Sequence, residues 1–195
     1  MKNKKFLVGI VTLILMLALS ACSSSSNQNS SDKKRITDHK NMKMDKNMDM
    51  GDMKSGSAEV PKGLKVAQNP TFKVGSKAVI KADHMEGMNG AEVTIVGAYD
   101  TTAYAVTYTP TNGGPEVKNH KWVIQEEIKD AGTEPLKPGT KVTLDADHME
   151  GMMGAKGTID SAEHTTVYMV DYTPTTGGSP VKNHKWVTES ELSAK

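Results

Sequence analysis

A ten-residue stretch rich in histidine and methionine occurs twice in this chain, as ADHMEGMNGA at residues 82–91 and as ADHMEGMMGA at residues 146–155. Each occurrence of this His–Met motif places one imidazole and at least two thioethers in a segment whose glycines permit a tight turn. Thioether sulfur favours the soft cuprous ion and imidazole also suits copper, whereas zinc prefers thiolate, imidazole or carboxylate ligands. The motif therefore predicts Cu(I) binding. Its candidate ligands are His84, Met85 and Met88 in the first occurrence, and His148, Met149, Met152 and Met153 in the second.

The same motif has a second interpretation, in which its side chains fill the protein core. Methionine fills irregular gaps between apolar side chains, and the chain has only two phenylalanines. His84 also follows Ala78, Ile80 and Ala82 in the two-residue alternation of a strand, so it is expected on the inner face. For this motif alone, metal binding and core packing both remain open.

A second repeated stretch, VKNHKWV, spans residues 117–123 and residues 181–187. In this His–Trp motif, His120 and His184 each share a strand face with the tryptophan two residues further on. The tryptophans are expected in the core, with their indole N–H groups hydrogen-bonded. The two histidines become candidate metal ligands if their strands pass close to the His–Met motif, and are structural otherwise.

A long polar segment, residues 23–61, contains almost no aliphatic or aromatic side chains and cannot bury enough apolar surface to fold. We predict a disordered Met/His-rich tether, in which methionine has no core to fill. Biased composition and a transient partner-binding segment are alternatives, but the M-x-M and M-x-x-M spacings would let several thioethers surround one Cu(I) ion. The candidate tether ligands are His39, Met42, Met44, Met48, Met50 and Met53.

The first residues carry the features of a secretory signal. Lysines precede an apolar stretch at residues 6–19 that is too short for a comfortable membrane span. It ends in LSAC, the lipobox pattern in which cleavage precedes Cys22 and the Cys22 sulfur receives diacylglycerol. A plain signal peptide is the alternative, but the one cysteine of the chain stands at the cleavage position. We expect a protein anchored by lipid at the extracellular face of the cell membrane.

Composition excludes two classes of function. With 24 basic and 23 acidic residues, the chain shows no basic patch of the kind that binds nucleic acid. Lipidation of Cys22 would leave no thiol nucleophile, and the sequence has neither a G-x-S-x-G elbow nor a phosphate-binding loop. We therefore expect that the protein is not an enzyme.

Both motifs belong to an internal duplication. Residues 75–128, the first copy, align without a gap with residues 139–192, the second copy, and more than half of the positions are identical. Apolar and polar residues alternate between Gly- and Pro-rich turns, as is typical of short strands. We predict an all-β protein with two tandem small SH3-like β-barrels, each copy being one folding unit. The predicted parts are a signal peptide (1–21), the lipidated cysteine and tether (22–61), a first β repeat (62–130) and a second (131–195).

The second copy contains more soft metal ligands than the first, so we expect the tighter site there. The alternation of its strand puts Met169 on the outward side, where it is exposed unless the other copy covers it. The replacements are Met153 for Asn89, His164 for Asp100 and Met169 for Ala105.

The lipobox, the Met-rich tether and the repeated ADHMxGMxGA, YTPTxGG and VKNHKWV motifs together resemble the YdhK-type tandem-repeat lipoproteins of Gram-positive bacteria. That family includes the CopL-type copper-binding lipoprotein. The resemblance covers nearly all of the chain after residue 21 and implies extracellular, membrane-tethered copper binding that protects the cell from excess copper. Carried over by motif, the candidate ligands are His84, Met85, Met88, His120, His148, Met149, Met152 and His184.

Two functions of different kinds are therefore predicted. The first is sequestration of Cu(I), with a copper exporter as a candidate partner. The alternative is a cell-wall-binding tandem SH3-like module without a metal function. Its binding groove would be lined by tyrosines, namely Tyr99, Tyr104, Tyr108, Tyr168 and Tyr172.

Overall fold

Strands account for most of the regular structure in the computed structural model, which describes residues 55–195. Strands β1–β4 and the 3-10 turn η1 precede strands β5–β8 and the 3-10 turn η2. The first group comprises β1 (Lys65–Val66), β2 (Lys77–Ile80), β3 (Glu92–Thr109), β4 (Val117–Ile124) and η1 (Gln125–Glu127). The second comprises β5 (Lys141–Thr143), β6 (Lys156–Tyr172), β7 (Val181–Thr188), η2 (Glu189–Glu191) and β8 (Leu192–Ala194). The predicted all-β class is confirmed.

Several predictions concern residues that precede this part of the chain. The signal peptide, the lipidated Cys22 and the candidate tether ligands all lie outside the described residues, and they stay predictions. Between residues 55 and 195, no helix combines the length and apolar character needed to cross a membrane.

The two long strands, β3 and β6, form the centre of the sheet. They pair antiparallel along almost their whole length, and Thr101 lies opposite Thr165, its equivalent in the other copy. The copies are therefore related by an approximate two-fold axis through this pair. Register irregularities between Ile95 and Gly97 and between Ala105 and Val106 bend the pair on either side of the axis.

The remaining strands join this centre in a way that exchanges elements between the copies. The sheet order is β5-β6-β3-β2-β8, with β1 and β4 also paired to β3 and β7 also paired to β6, and the sheet is not closed. Strand β8 of the second copy pairs with β2 of the first. The reciprocal contact is a single bridge between Ile128 and Leu144. Each copy thus completes the edge of the other.

The apolar cores also combine side chains from both copies. One core combines side chains from residues 67–98 with side chains from residues 168–192. The other combines residues 104–128 with residues 142–159. A third cluster lies at the junction and contains Trp122 and Trp186. In the described structure each core needs half of both copies, because β3 and β6 run from one core into the other.

Candidate metal centre

Each His–Met motif folds into a tight loop that rests on a turn of the other copy. Gly87 and Gly151 adopt φ of +74° and +77°, which favours glycine. Thr175 donates its backbone N–H to the carbonyl of Gly87 at 2.9 Å, and Thr111 does the same to Gly151 at 2.9 Å. A Cβ added at Gly87 would lie 2.8 Å from Pro174, so this close approach also requires glycine. The exchange of copies therefore fixes where the two loops lie.

The histidine of each loop is hydrogen-bonded to a glutamate of the other copy. His148 Nε2 lies 2.8 Å from Glu127 Oε1, and His84 Nε2 lies 2.6 Å from Glu191 Oε1. Burial raises the pKa of Glu191, but hydrogen bonds from His84 and from other donors outweigh it and leave the pKa below its ordinary value. An ionised carboxylate only accepts hydrogen bonds, so the proton of His84 belongs on Nε2.

Three imidazole nitrogens in this region are buried without a hydrogen-bond partner: His84 Nδ1, His148 Nδ1 and His120 Nε2. An unsatisfied buried polar atom costs about 1–3 kcal/mol, and its presence in a native structure calls for an explanation. A ligand that accepts the lone pair of each nitrogen would supply that explanation. These three atoms are the candidate metal-binding nitrogens.

Histidines from different copies meet in this region. His120, on β4 of the first copy, lies beside His148 of the second, with ring centres 6.2 Å apart and planes tilted by 38°. Burial lowers the pKa of His120 to about 4, and repulsion from the protonated forms of His148 and His84 contributes. Burial likewise lowers the pKa of His184 to about 4, and the charges of the other three histidines contribute. His120 and His184 are therefore neutral at pH 7.

These low pKa values predict that acid destabilises the metal-free protein. Below pH 6.5 the unfolded chain binds protons at His120 and His184 that the folded protein takes up only near pH 4. The free energy of unfolding should therefore fall as the pH drops from 6.5 to 4, by on the order of 3 kcal/mol for each histidine. Urea unfolding at several pH values measures this change in the free energy of unfolding. The variant His120→Phe should show a shallower pH dependence than the parent, and an equal slope would contradict this origin.

The methionines of the two loops have different environments. Met88 and Met152 are 0 % exposed and belong to separate apolar cores. Met85 is half-buried against the first core. Met149 and Met153 are 43 % and 48 % exposed, so they are accessible to an ion from solvent. The packing interpretation therefore fits Met88 and Met152, while the other three sulfur atoms remain the accessible candidates.

The extra soft residues of the second copy do not gather in one place. Met169 is buried beside Trp122 and Trp186, because the other copy covers the strand face on which it was expected to be exposed. His164 is exposed on β6, opposite Thr102. The centre that the structure does form draws on both copies, which sequence comparison of one copy with the other did not indicate.

The candidate site is one pair of histidines with neighbouring rings, His120 and His148, and not a larger coordination shell. Within residues 55–195, no group of three or more His, Cys, Asp or Glu side chains is placed to hold one metal ion. Structural zinc takes four ligands in a tetrahedron, so the arrangement does not suit it. A soft ion of low coordination number suits two imidazoles better.

The sequence motifs did not indicate a role for Glu127 or Glu191. They occupy a short stretch in which the copies otherwise differ: residues 124–128 read IQEEI and residues 188–192 read TESEL. The glutamate is the one identical position of the five. This local identity was the available signal, but nothing in the sequence indicated that each glutamate reaches the histidine of the other copy.

Both copies match one family. Residues 74–125 and 138–189 match the family described as "Protein of unknown function (DUF1541)". The chain belongs to the DUF1541 family. A Bacillus subtilis (strain 168) relative, "Uncharacterized protein YdhK", is 58% identical over 195 residues, which is 100% of this chain and 92% of the relative. The homology to YdhK and the tandem repeat inferred from the motifs are confirmed.

Solved structures of this DUF1541 relative have the same fold. The crystal structure of YdhK from Bacillus subtilis matches with a TM-score of 0.70 and 68% identity, covering 72% of this chain and 96% of that one. The solution structure of the YdhK C-terminal domain matches with a TM-score of 0.61 and 69% identity, covering 64% of this chain and 94% of that one.

Proposed function

We propose that this DUF1541 protein is a copper-binding lipoprotein of the CopL type, which holds Cu(I) at the extracellular face of the cell membrane and contributes to copper resistance. Lipid on Cys22 would anchor it there. One observation carries the proposal: His120 and His148 are neighbouring, partly buried imidazoles, and each has a buried nitrogen without a hydrogen-bond partner. Such a pair can share one soft cation.

The spacing of this pair supports Cu(I). The ring centres of His120 and His148 are 6.2 Å apart, so one ion between the rings could contact a nitrogen of each. Monovalent copper accepts two nitrogens in this way, whereas zinc requires further ligands.

The protonation state of the pair also supports metal binding at neutral pH. Metal binding requires a neutral imidazole, because a protonated nitrogen has no lone pair to donate. The pKa of His120 is lowered to about 4, so this imidazole is neutral near pH 7 and one of its two nitrogens has a lone pair. Exposed Met149 and Met153 lie on the same loop as His148 and offer thioethers to an arriving ion.

The cell-wall alternative has less support from the described residues. It depends on exposed aromatic side chains, and four of the five candidate tyrosines are buried instead of lining a groove: Tyr104, Tyr108, Tyr168 and Tyr172. Their positions in the two cores explain the sequence pattern without a wall-binding role. Copper binding is the function that the geometry supports best.

A direct test is an anaerobic competition for Cu(I) between the intact protein in detergent and a chromophoric chelator such as bicinchoninate. We expect the protein to withdraw Cu(I) from the chelator, because the buried nitrogens gain a partner on binding. Zn(II) in the matching zinc-chelator assay should be bound far more weakly. Failure to withdraw Cu(I), or stronger retention of Zn(II), would contradict the proposal.

A further inference from the structure

We infer that Glu127 and Glu191 are positioning residues, each of which keeps the proton of the other copy's loop histidine on Nε2 so that the bare Nδ1 faces a metal ion. This inference rests on the proposed copper-binding function. It assigns a role to two side chains that lie outside both duplicated motifs. It also makes each metal-binding histidine depend on the other copy.

The hydrogen bond between Glu127 and His148 determines which imidazole nitrogen carries the proton. Glu127 Oε1 and His148 Nε2 are 2.8 Å apart, and both side chains are largely buried. A carboxylate oxygen accepts, so the imidazole nitrogen donates and carries the proton. A neutral imidazole has one N–H group, which leaves the lone pair on Nδ1. That atom is buried and unpartnered in His148, and also in His84.

Two further hydrogen bonds hold the carboxylate of Glu127 in position. Glu127 Oε2 accepts the indole N–H of Trp186 at 3.0 Å and the backbone N–H of Ile124 at 3.2 Å. Both oxygens of Glu127 are therefore occupied, and the carboxylate is held in place for His148. Glu191 is held in the equivalent way, by Trp122 and a backbone N–H. Carboxylate–histidine pairs of this kind orient metal-binding imidazoles in other proteins.

Each glutamate and the histidine that it contacts come from different copies. Glu127 belongs to the first copy, whereas His148 and Trp186 belong to the second. Glu191 has the converse relation to His84 and Trp122. A loop histidine therefore acquires its fixed tautomer only when the glutamate of the other copy packs beside it. The fold and the readiness of the imidazole to bind metal are coupled through these two glutamates.

The variant Glu127→Gln tests the inference. The N–H groups of Trp186 and Ile124 both donate to the position of Oε2, so only an oxygen atom suits that position. The amide oxygen would take that position, and the amide NH2 would then face His148 Nε2 and donate to it. His148 should switch to the tautomer with the proton on Nδ1. Nitrogen-15 NMR of the metal-free protein distinguishes the two tautomers. In proteins that carry leucine at the tether methionines (Met42, Met44, Met48, Met50 and Met53), which would otherwise mask a loss, the affinity for Cu(I) should fall by on the order of 10–100-fold.

Two further variants serve as matched controls. Glu191→Gln should change the tautomer of His84 and leave that of His148 unchanged, because Glu191 contacts the other loop. Trp186→Phe removes the indole donor but keeps the carboxylate beside His148, so the Nε2 proton should stay. A tautomer change in Trp186→Phe as large as in Glu127→Gln would show that general disturbance of the site, and not the amide, is responsible.

The tautomer is measured without copper, so this inference can fail separately from the proposed function. A parent protein with the His148 proton on Nδ1 would overturn it, whatever the affinity for Cu(I). An unchanged tautomer in Glu127→Gln would also overturn it. A switched tautomer with undiminished Cu(I) affinity would show that Nδ1 is not the ligand. Absence of Cu(I) binding in the parent would instead overturn the proposed function.

Discussion

Replacing His120 by phenylalanine is expected to weaken Cu(I) binding at the folded domain by at least about 100-fold, because it removes one of two imidazole ligands. Phenylalanine keeps a ring of similar shape in edge contact with Tyr108, which now packs against the imidazole with ring centres 5.9 Å apart. The fold should therefore survive the substitution. Competition against bicinchoninate under anaerobic conditions measures the change.

The matched control is His164→Phe, which makes the same substitution at an exposed histidine on β6. It should bind Cu(I) as tightly as the parent. The tether methionines would mask a loss at the folded site, so all proteins in this comparison carry leucine at Met42, Met44, Met48, Met50 and Met53. Equal affinities for His120→Phe and His164→Phe would show that the histidine pair is not the binding site.

Truncating Met152 to alanine should lower the free energy of unfolding by about 2–5 kcal/mol, because it empties space in a closed apolar core. Met152 is 0 % exposed and packs in the core that contains Leu144 and Ile159. Met152→Leu nearly conserves volume and should cost less than about 1.5 kcal/mol. Chemical denaturation of the metal-free proteins gives these values.

The neighbouring residue provides the control for this experiment. Met153 is 48 % exposed, so Met153→Ala should change the free energy of unfolding by no more than about 0.5 kcal/mol. The leucine variant also decides between packing and metal binding at Met152. If Met152→Leu lowered the affinity for Cu(I) as strongly as His120→Phe, its thioether would be a ligand and not only a core side chain.

Local alternation predicted the extended segments but not their lengths, because β3 (Glu92–Thr109) and β6 (Lys156–Tyr172) are much longer than the short strands that were expected. Ala78 and Ile80 are buried on β2, as their spacing indicates, and the lysine at the start of this strand is exposed. The glycines of the His–Met motif adopt positive φ, as a tight turn requires. These features depend on residues close together in the chain, so a single sequence contains the information needed to predict them.

Pairing between distant strands was not predictable in the same way. Both copies contain the same motifs, so the pattern of one copy fits a partner in either copy equally well. Met169 illustrates the result: alternation places it outward on its own strand, yet contact with the other copy buries it beside the tryptophans. Whether the outward face of a strand is buried depends on the assembled sheet and not on the strand alone.

The sequence by itself determined the all-β class, the duplication and the chemical types of the candidate ligands, because periodicity and composition are local properties. Only the tertiary structure decided that His120 meets His148 of the other copy, and that Glu127 lies within hydrogen-bond distance of His148. It also assigned Met88 and Met152 to the cores. The physical reason is that a metal centre depends on which side chains share one buried space, and that depends on packing of the whole chain.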